Sequence, residues 1–331
     1  MPDSSDRLLK PELLPVELWH HDFREEGKSE TGLVRLPKLL ADAYARVIDR
    51  LNLRPLSESR DPENPPVGGL SQDQADKHFA QAFDGSCARV QLALMDPFNR
   101  APKASNNLLR SLSGNRVTIA DAPSGAGAAT YALLTTIAEL RRQNILPRQP
   151  LDVHVVAGEI SEPARIHASL MLEELGAALE QQAIFLSVEF HPWDVTNDLS
   201  NTDYIRQITL ASQGREKRLL VIANFNGFLV SGSKQKVARP QLTELMRYCS
   251  GPNSYCVWIE PNMNPATKKG GLFDWLRVQL STVWSKFAKE DTHDADPESL
   301  AVCRTLLELP LHPPNTVRSG LSLMSFDLTR K

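Results

Sequence analysis

Between Val117 and Leu134 the chain passes from an apolar stretch, Val117-Thr118-Ile119-Ala120, to an acid, Asp121. It continues through the small-residue segment Ala122-Pro123-Ser124-Gly125-Ala126-Gly127 into the helix-forming run Ala128-Ala129-Thr130-Tyr131-Ala132-Leu133-Leu134. That order predicts a strand, a tight turn and a helix. Gly125 and Gly127 lack the Cβ atoms that would keep a ligand off the backbone, and the start of the helix offers N–H donors to a carboxylate or phosphate. More acids and amides follow later apolar stretches: Glu159 after Val155-Val156-Ala157-Gly158, Asp194 in His191-Pro192-Trp193-Asp194-Val195, and Asn224-Phe225-Asn226-Gly227-Phe228 after residues 219–223. Glu260 closes Trp258-Ile259-Glu260, ahead of Pro261-Asn262-Met263-Asn264-Pro265 and a loop carrying Lys268-Lys269-Gly270-Gly271. Such positions fall at the C-terminal edge of an open α/β sheet, where these sheets bind ligands.

The segment Asp121-Ala122-Pro123-Ser124-Gly125-Ala126-Gly127 resembles the first motif of the class I S-adenosylmethionine-dependent methyltransferases, an apolar strand ending in an acid and a Gly-x-Gly-x-Gly turn. Pro123 stands where that family usually has its first glycine, which fixes φ and removes a donor. The resemblance implies S-adenosylmethionine as cofactor and a donor site made of Asp121, Ala122, Pro123, Ser124, Gly125 and Gly127. It extends to Glu159, followed by Ile160, as the acid that holds both ribose hydroxyls. A carboxylate suits that task because it accepts two charge-assisted hydrogen bonds from a cis-diol. Asp194 and Val195 correspond to the acid and following backbone N–H that meet adenine. Asn224, which also faces the cofactor, and Asn226 occupy the place where the family sets residues toward donor and acceptor. The amide and aromatic character of that motif is kept, but the Pro-Pro pair of many amine methyltransferases is missing, and so is a Pro-Cys nucleophile. In-line transfer of a sulfonium methyl to nitrogen or oxygen, with Asn224 or Asn226 orienting the acceptor and no metal, is the mechanism implied.

These residues need a sheet to hold them. Beyond Gly114 short apolar strands alternate with helix-length segments, with strands expected over 116–120, 151–157, 184–190, 219–223, 255–260 and 320–328 and helices between the first five. Ile184, Leu186, Val188 and Phe190 alternate onto one face, whereas 219–223 is apolar throughout, so an outer and a central strand are expected. Ser161 is placed to cap the next helix, with Pro163 in its first turn and Gly176 at its end. The fold class expected is α/β: a Rossmann-like, mostly parallel sheet with an antiparallel terminal strand over 112–331, preceded by a mainly helical N-terminal cap or substrate region over 1–111. In that region Leu40, Tyr44, Val47 and Ile48 mark one helix, and a second runs from about Gln72 to Leu94, broken near Gly85. Its Phe79 and Arg89 either close over the cofactor or pack on the sheet. No strand-like alternation stands out there, and prolines at Pro62, Pro65 and Pro66 interrupt it.

Composition bounds the rest. The 331 residues are 41% hydrophobic and 23% charged, which excludes wholesale disorder and allows two compact units at most. Lys+Arg 37 against Asp+Glu 40 gives a net charge of −3 and no global field toward nucleic acid. No apolar run approaches the roughly 18 residues that span a bilayer, and the first residues carry no apolar signal core, so a cytosolic protein without a membrane partner is expected. Cys87, Cys249, Cys256 and Cys303 fit no common zinc spacing and read as buried thiols. His20-His21 would point different ways in either a helix or a strand, read as surface or loop residues, and are assigned nothing.

Two other readings stay open. A nicotinamide-dependent oxidoreductase also uses a glycine turn, although Thr130 stands where its third glycine or alanine belongs and Glu159 lies well beyond the offset of about 20 residues. A non-catalytic scaffold or partner subunit of methyltransferase fold would keep the turn without the chemistry. The acceptor, whether RNA, protein or small molecule, and the oligomeric state are not fixed by the sequence; Lys234, Lys236 and Arg239 near the same mouth fit either a phosphate-bearing acceptor or a solvated face.

Overall fold

The computed structural model describes residues 7–61, 66–230, 234–261 and 301–329. Five strands, β3 (Asn115–Asp121), β4 (Leu151–Gly158), β5 (Ile184–His191), β6 (Lys217–Ala223) and β7 (Ser254–Pro261), run parallel in the spatial order β5-β4-β3-β6-β7. The chain steps outward from β3 to β5, then crosses back to lay β6 on the other side of β3. The crevice between β3 and β6 is therefore the switch point of a doubly wound sheet. The fold is Rossmann-like. Because all five strands point the same way, Asp121, Glu159, His191, Asn224 and Glu260 arrive at one edge.

Two more strands extend the sheet: β8 (Ala301–Glu308), and β9 (Thr316–Asp327), which enters antiparallel between β7 and β8. The terminal strand is the one the sequence leads one to expect; β8 is not. The alternating β5 forms the outer edge of the parallel set, and the continuously apolar β6 is central. Leu219 and Val221 enter one core and Leu220 and Ile222 the other, which is why that strand has no polar face.

On the first face pack α1 (Lys38–Arg50), α3 (Gln72–Met95), α5 (Ala128–Arg142) and α6 (Glu162–Glu180), over Val117, Ile119, Val153 and Val155. The stripe Leu40, Tyr44, Val47 and Ile48 of α1 is fully buried, each side chain contributing roughly 1.5–3 kcal/mol. On the second face α7 (Asp198–Ala211) and α9 (Gln235–Cys249) cover Ala120, Val156, Leu220, Ile222 and Trp258. Three shorter helices are α2 (Arg54–Glu58), α4 (Pro102–Ser111) and α8 (Asn226–Val230). All four cysteines are free and buried. Among the described residues no helix is long and apolar enough to cross a membrane.

Tertiary packing changes three local expectations. Helix α3 is continuous through Gly85, because Phe79 and Phe83 lock against Tyr44 and the Tyr44 hydroxyl donates to the Phe79 and Ala80 carbonyls at 2.8 and 3.0 Å. That packing outweighs a glycine cost of about 1 kcal/mol. Helix α6 begins as expected, with Ser161 Oγ accepting from Ala164 N at 3.4 Å, but runs past Gly176 to Glu180. The first third is mainly helical, yet it also supplies a hairpin, β1 (Trp19–Arg24) and β2 (Thr31–Val34), whose second strand lies parallel to β8. Its edge strand is mostly polar, with only Trp19 buried, so no alternation betrays it. His20 and His21 lie on that strand.

Trp19 stands edge-on to Phe98 at 5.1 Å, and Thr305 Oγ1 donates to the Gly32 carbonyl at 2.6 Å, so the hairpin shares the main core. Gly32 has φ +83°, and a Cβ there would lie 2.2 Å from the Trp19 ring. A Gly32→Ala variant is expected to lose roughly 2–4 kcal/mol, from left-handed backbone strain and a displaced buried aromatic, and to unfold in one transition. Urea unfolding followed by tryptophan fluorescence and circular dichroism checks this; an unchanged midpoint would show that the hairpin does not contribute to the core.

Candidate functional site

Asp121, the last residue of β3, is buried, and its Oδ2 accepts from Thr130 Oγ1 at 2.7 Å and Thr130 N at 3.3 Å. The acid thus ties the strand end to the first turn of α5. Ser124 N donates to the Gly158 carbonyl at 2.9 Å and Gly127 N to the Ser124 carbonyl at 2.8 Å, closing the turn despite Pro123, whose peptide bond to Ala122 is cis. The two glycines have different tasks. Both have positive φ, but a Cβ on Gly127 would lie 2.3 Å from the Tyr131 ring, whereas one on Gly125 would meet nothing within 4 Å. Gly127 is there for packing; Gly125 borders open space from which a ligand can reach the backbone. Asp121 Oδ1 and Ser124 Oγ are buried beside it without a hydrogen-bond partner among the described residues.

Glu159 joins this turn to the next helix. Its Oε2 accepts from Gly125 N at 3.0 Å and its Oε1 from Ser161 N at 2.7 Å, while its own N–H donates to the His191 carbonyl at 3.0 Å. Each carboxylate oxygen keeps a further lone pair for a ligand. Ile160 beside it is exposed, offering an apolar surface at the mouth. Asp194 is half-buried; its Oδ1 accepts from Thr196 N at 2.8 Å and Thr196 Oγ1 at 2.7 Å, so it shapes the turn after β5, while Asn197 caps α7. Val195 is buried in the second core.

After β6, Asn224 adopts φ +57° and its Oδ1 accepts from Arg89 Nε, reaching over from α3, at 2.9 Å. Asn226 is fully buried. A single oxygen of Glu260, Oε1, accepts from Trp258 Nε1 at 2.7 Å and from Phe225 N and Asn226 N at 2.9 Å each, fixing the turn into α8. Phe225 stacks on Phe228, and Lys234 Nζ rests 3.6 Å above the Phe228 ring; Lys236 and Arg239 lie on α9. Residues Asn262, Met263, Asn264, Pro265, Lys268, Lys269, Gly270 and Gly271 lie outside the described residues.

The edge therefore brings together the glycine turn, Glu159, Asn224 and Asn226, and adds two groups whose roles the sequence leaves undecided. Glu260 carries the same signal as Asp121 and Glu159, an acid at the end of an apolar strand. Arg89 is a lone cation in an otherwise apolar stretch of α3, and nothing local couples it to Asn224.

Burial disfavours charge throughout. It pushes Asp121 up to about 7, against the Thr130 hydrogen bonds and with help from the Glu159 charge. Burial likewise raises Glu260 to about 7 against its three N–H donors and the nearby Arg89 charge, raises Glu159 above the usual carboxylate range, and lowers Arg89 to about 10 against the charges of Glu260 and Asp84. Three buried acids at one mouth fit a ligand that brings positive charge.

No family model matches the sequence, and no curated protein matches it. Among solved structures, it is similar to a Listeria monocytogenes protein provisionally described as a class I S-adenosylmethionine-dependent methyltransferase, at 14% identity and a TM-score of 0.35 over 88% of this chain and 86% of that one. A TM-score that low establishes neither fold nor chemistry.

An acid whose pKa is raised in the native state holds more protons there than in the unfolded chain. Its contribution to stability is complete below the unfolded value of 3.8 and is lost as pH rises through about 7. The ligand-free protein should therefore lose stability between pH 5 and pH 8, and Asp121→Asn, which cannot ionise, should flatten that loss. Urea midpoints of both proteins at the two pH values test this; equal slopes would mean that Asp121 is not held neutral.

Proposed function

We propose that this chain binds S-adenosylmethionine at the C-terminal edge of its sheet and directs its methyl group to a nitrogen or oxygen of an acceptor. The observation that carries the reading is the cluster of buried carboxylates around a glycine turn whose backbone is open at Gly125. When bound, S-adenosylmethionine supplies a methyl group on a positively charged sulfur, open to in-line attack.

The residues fit its parts. Glu159, already fixed by two backbone N–H groups, has one lone pair on each oxygen for the two ribose hydroxyls. Ile160 and the Asp194-Val195 backbone would border adenine. Asp121 Oδ1 and Ser124 Oγ are buried polar atoms that need a partner, and a ligand donor at the turn would satisfy them. Arg89 takes the amide oxygen of Asn224, so the amide nitrogen is the group that Asn224 offers to an acceptor. Asn226, held from below by Glu260, keeps that turn in place. With no nucleophile invoked, the protein's work is positioning and exclusion of water. A dinucleotide fits less well, since its two phosphate charges would face the carboxylates of Asp121 and Glu159.

Titration calorimetry with S-adenosylmethionine and S-adenosylhomocysteine tests the reading. Wild type should bind both, with affinity falling at least about tenfold in Glu159→Ala and in Gly125→Ala, the latter losing only about 1 kcal/mol of stability because its Cβ meets no atom. No binding by well-folded wild type would favour a scaffold, and fluorescence enhancement of a reduced nicotinamide cofactor would favour the oxidoreductase.

A further inference from the structure

His78, Gly85 and Arg89 fall at i, i+7 and i+11 on α3, one stripe of the helix. Since Arg89 bonds Asn224, this stripe faces the end of β6, where the acceptor would be oriented. A Cβ on Gly85 would meet Arg89 Nη1 at 3.5 Å and Arg60 Nη2 at 3.7 Å, so two guanidinium groups converge on one point above a helix that carries no side chain there. Arg60 is paired with Asp84 at 2.7 Å, and its side chain is 19% exposed. Arg89 is half-buried and bonds only neutral groups, Asn224 Oδ1 and Ser86 Oγ; among the described residues no carboxylate makes a salt bridge with it. Its field is felt along the stripe: burial, Arg89 and His167 together lower His78 to about 4, keeping that imidazole neutral.

Asp84 pairs with Arg60, and the charges of Glu260 and Asp84 act on Arg89 without a hydrogen bond to it; Arg60 Nη2 and Arg89 Nη1, the atoms that face the bare helix at Gly85, make no hydrogen bond among the described residues. The geometry points to an oxyanion site, in which Arg60 and Arg89 over Gly85 hold a carboxylate or phosphate carried by the methyl acceptor. The planar fork of each guanidinium suits bidentate contact with such a group. An anion anchored there would place the acceptor's nucleophile next to Asn224, binding energy far from the reacting atom serving orientation. The identity of the anion's carrier rests on the methyl-transfer reading; the anion site itself does not. The donor's own amino-acid carboxylate is the other source of the same chemistry.

The probe is inorganic pyrophosphate, titrated calorimetrically into the full chain without S-adenosylmethionine. It should bind wild type and bind at least tenfold more weakly to Arg89→Gln and to the double variant Arg60→Gln/Asp84→Asn, which leaves no buried carboxylate unpaired; circular dichroism confirms that both are folded. S-adenosylhomocysteine should bind the double variant within twofold of wild type. Pyrophosphate binding that is absent from wild type, or equal in all three proteins, would overturn the site. If the double variant loses S-adenosylhomocysteine but keeps 5′-methylthioadenosine, which lacks the amino-acid carboxylate, the anion is the donor's and the acceptor assignment is overturned. Pyrophosphate binding that depends on the arginines in a protein unable to bind S-adenosylhomocysteine would support the anion site and contradict the methyl-transfer reading.

Discussion

The turns that leave the parallel strands are held by carboxylates. Backbone N–H groups at a buried strand-to-helix turn must find acceptors, and here acids supply them: Asp121 for Thr130, Glu159 for Gly125 and Ser161, Asp194 for Thr196, Glu260 for Phe225 and Asn226. Parallel strands bring all four turns to the same edge. The solution to a local hydrogen-bonding requirement therefore becomes a global electrostatic one.

Asp121, Glu159 and Glu260 are each almost fully buried, and burial opposes their charge more strongly than their N–H partners favour it. A site so arranged is incomplete electrostatically, and a cationic ligand among the acids would stabilise their ionised forms. Arg89, linked to the β6 turn through Asn224, is the counterpart on the other side of the crevice. Acids hold the β3 and β4 turns, and at the β6 turn a guanidinium and the Glu260 carboxyl stand together.

Local patterns carry the legible part of this protein. Asp121, Gly125 and Gly127 form a strand-turn-helix signature within a few residues, and Glu159 stands at the end of the next apolar strand, so these positions could be read directly. The central place of β6 and the outer place of β5 follow from continuous and alternating apolar residues. What stays hidden depends on partners distant in sequence. The Arg89–Asn224 bond joins residues 135 positions apart. The β1–β2 hairpin has a polar edge strand that gains its place from β8 and Phe98. Gly85 reads as a break because sequence shows its helix cost but not the aromatic packing of Tyr44, Phe79 and Phe83 that offsets it. The separate roles of Gly125 and Gly127 require knowing where the Tyr131 ring lies.

The central claim is that buried carboxylates at the turns make this site complementary to a positively charged cofactor. Proton exchange on binding tests it most directly, because a cation placed among acids with pKa values near 7 must drive protons off them. Calorimetric titration of S-adenosylmethionine at pH 7, in buffers of differing ionisation enthalpy, should show net proton release, with affinity rising as pH increases through 7. Binding with no proton exchange, or with proton uptake, would contradict the account.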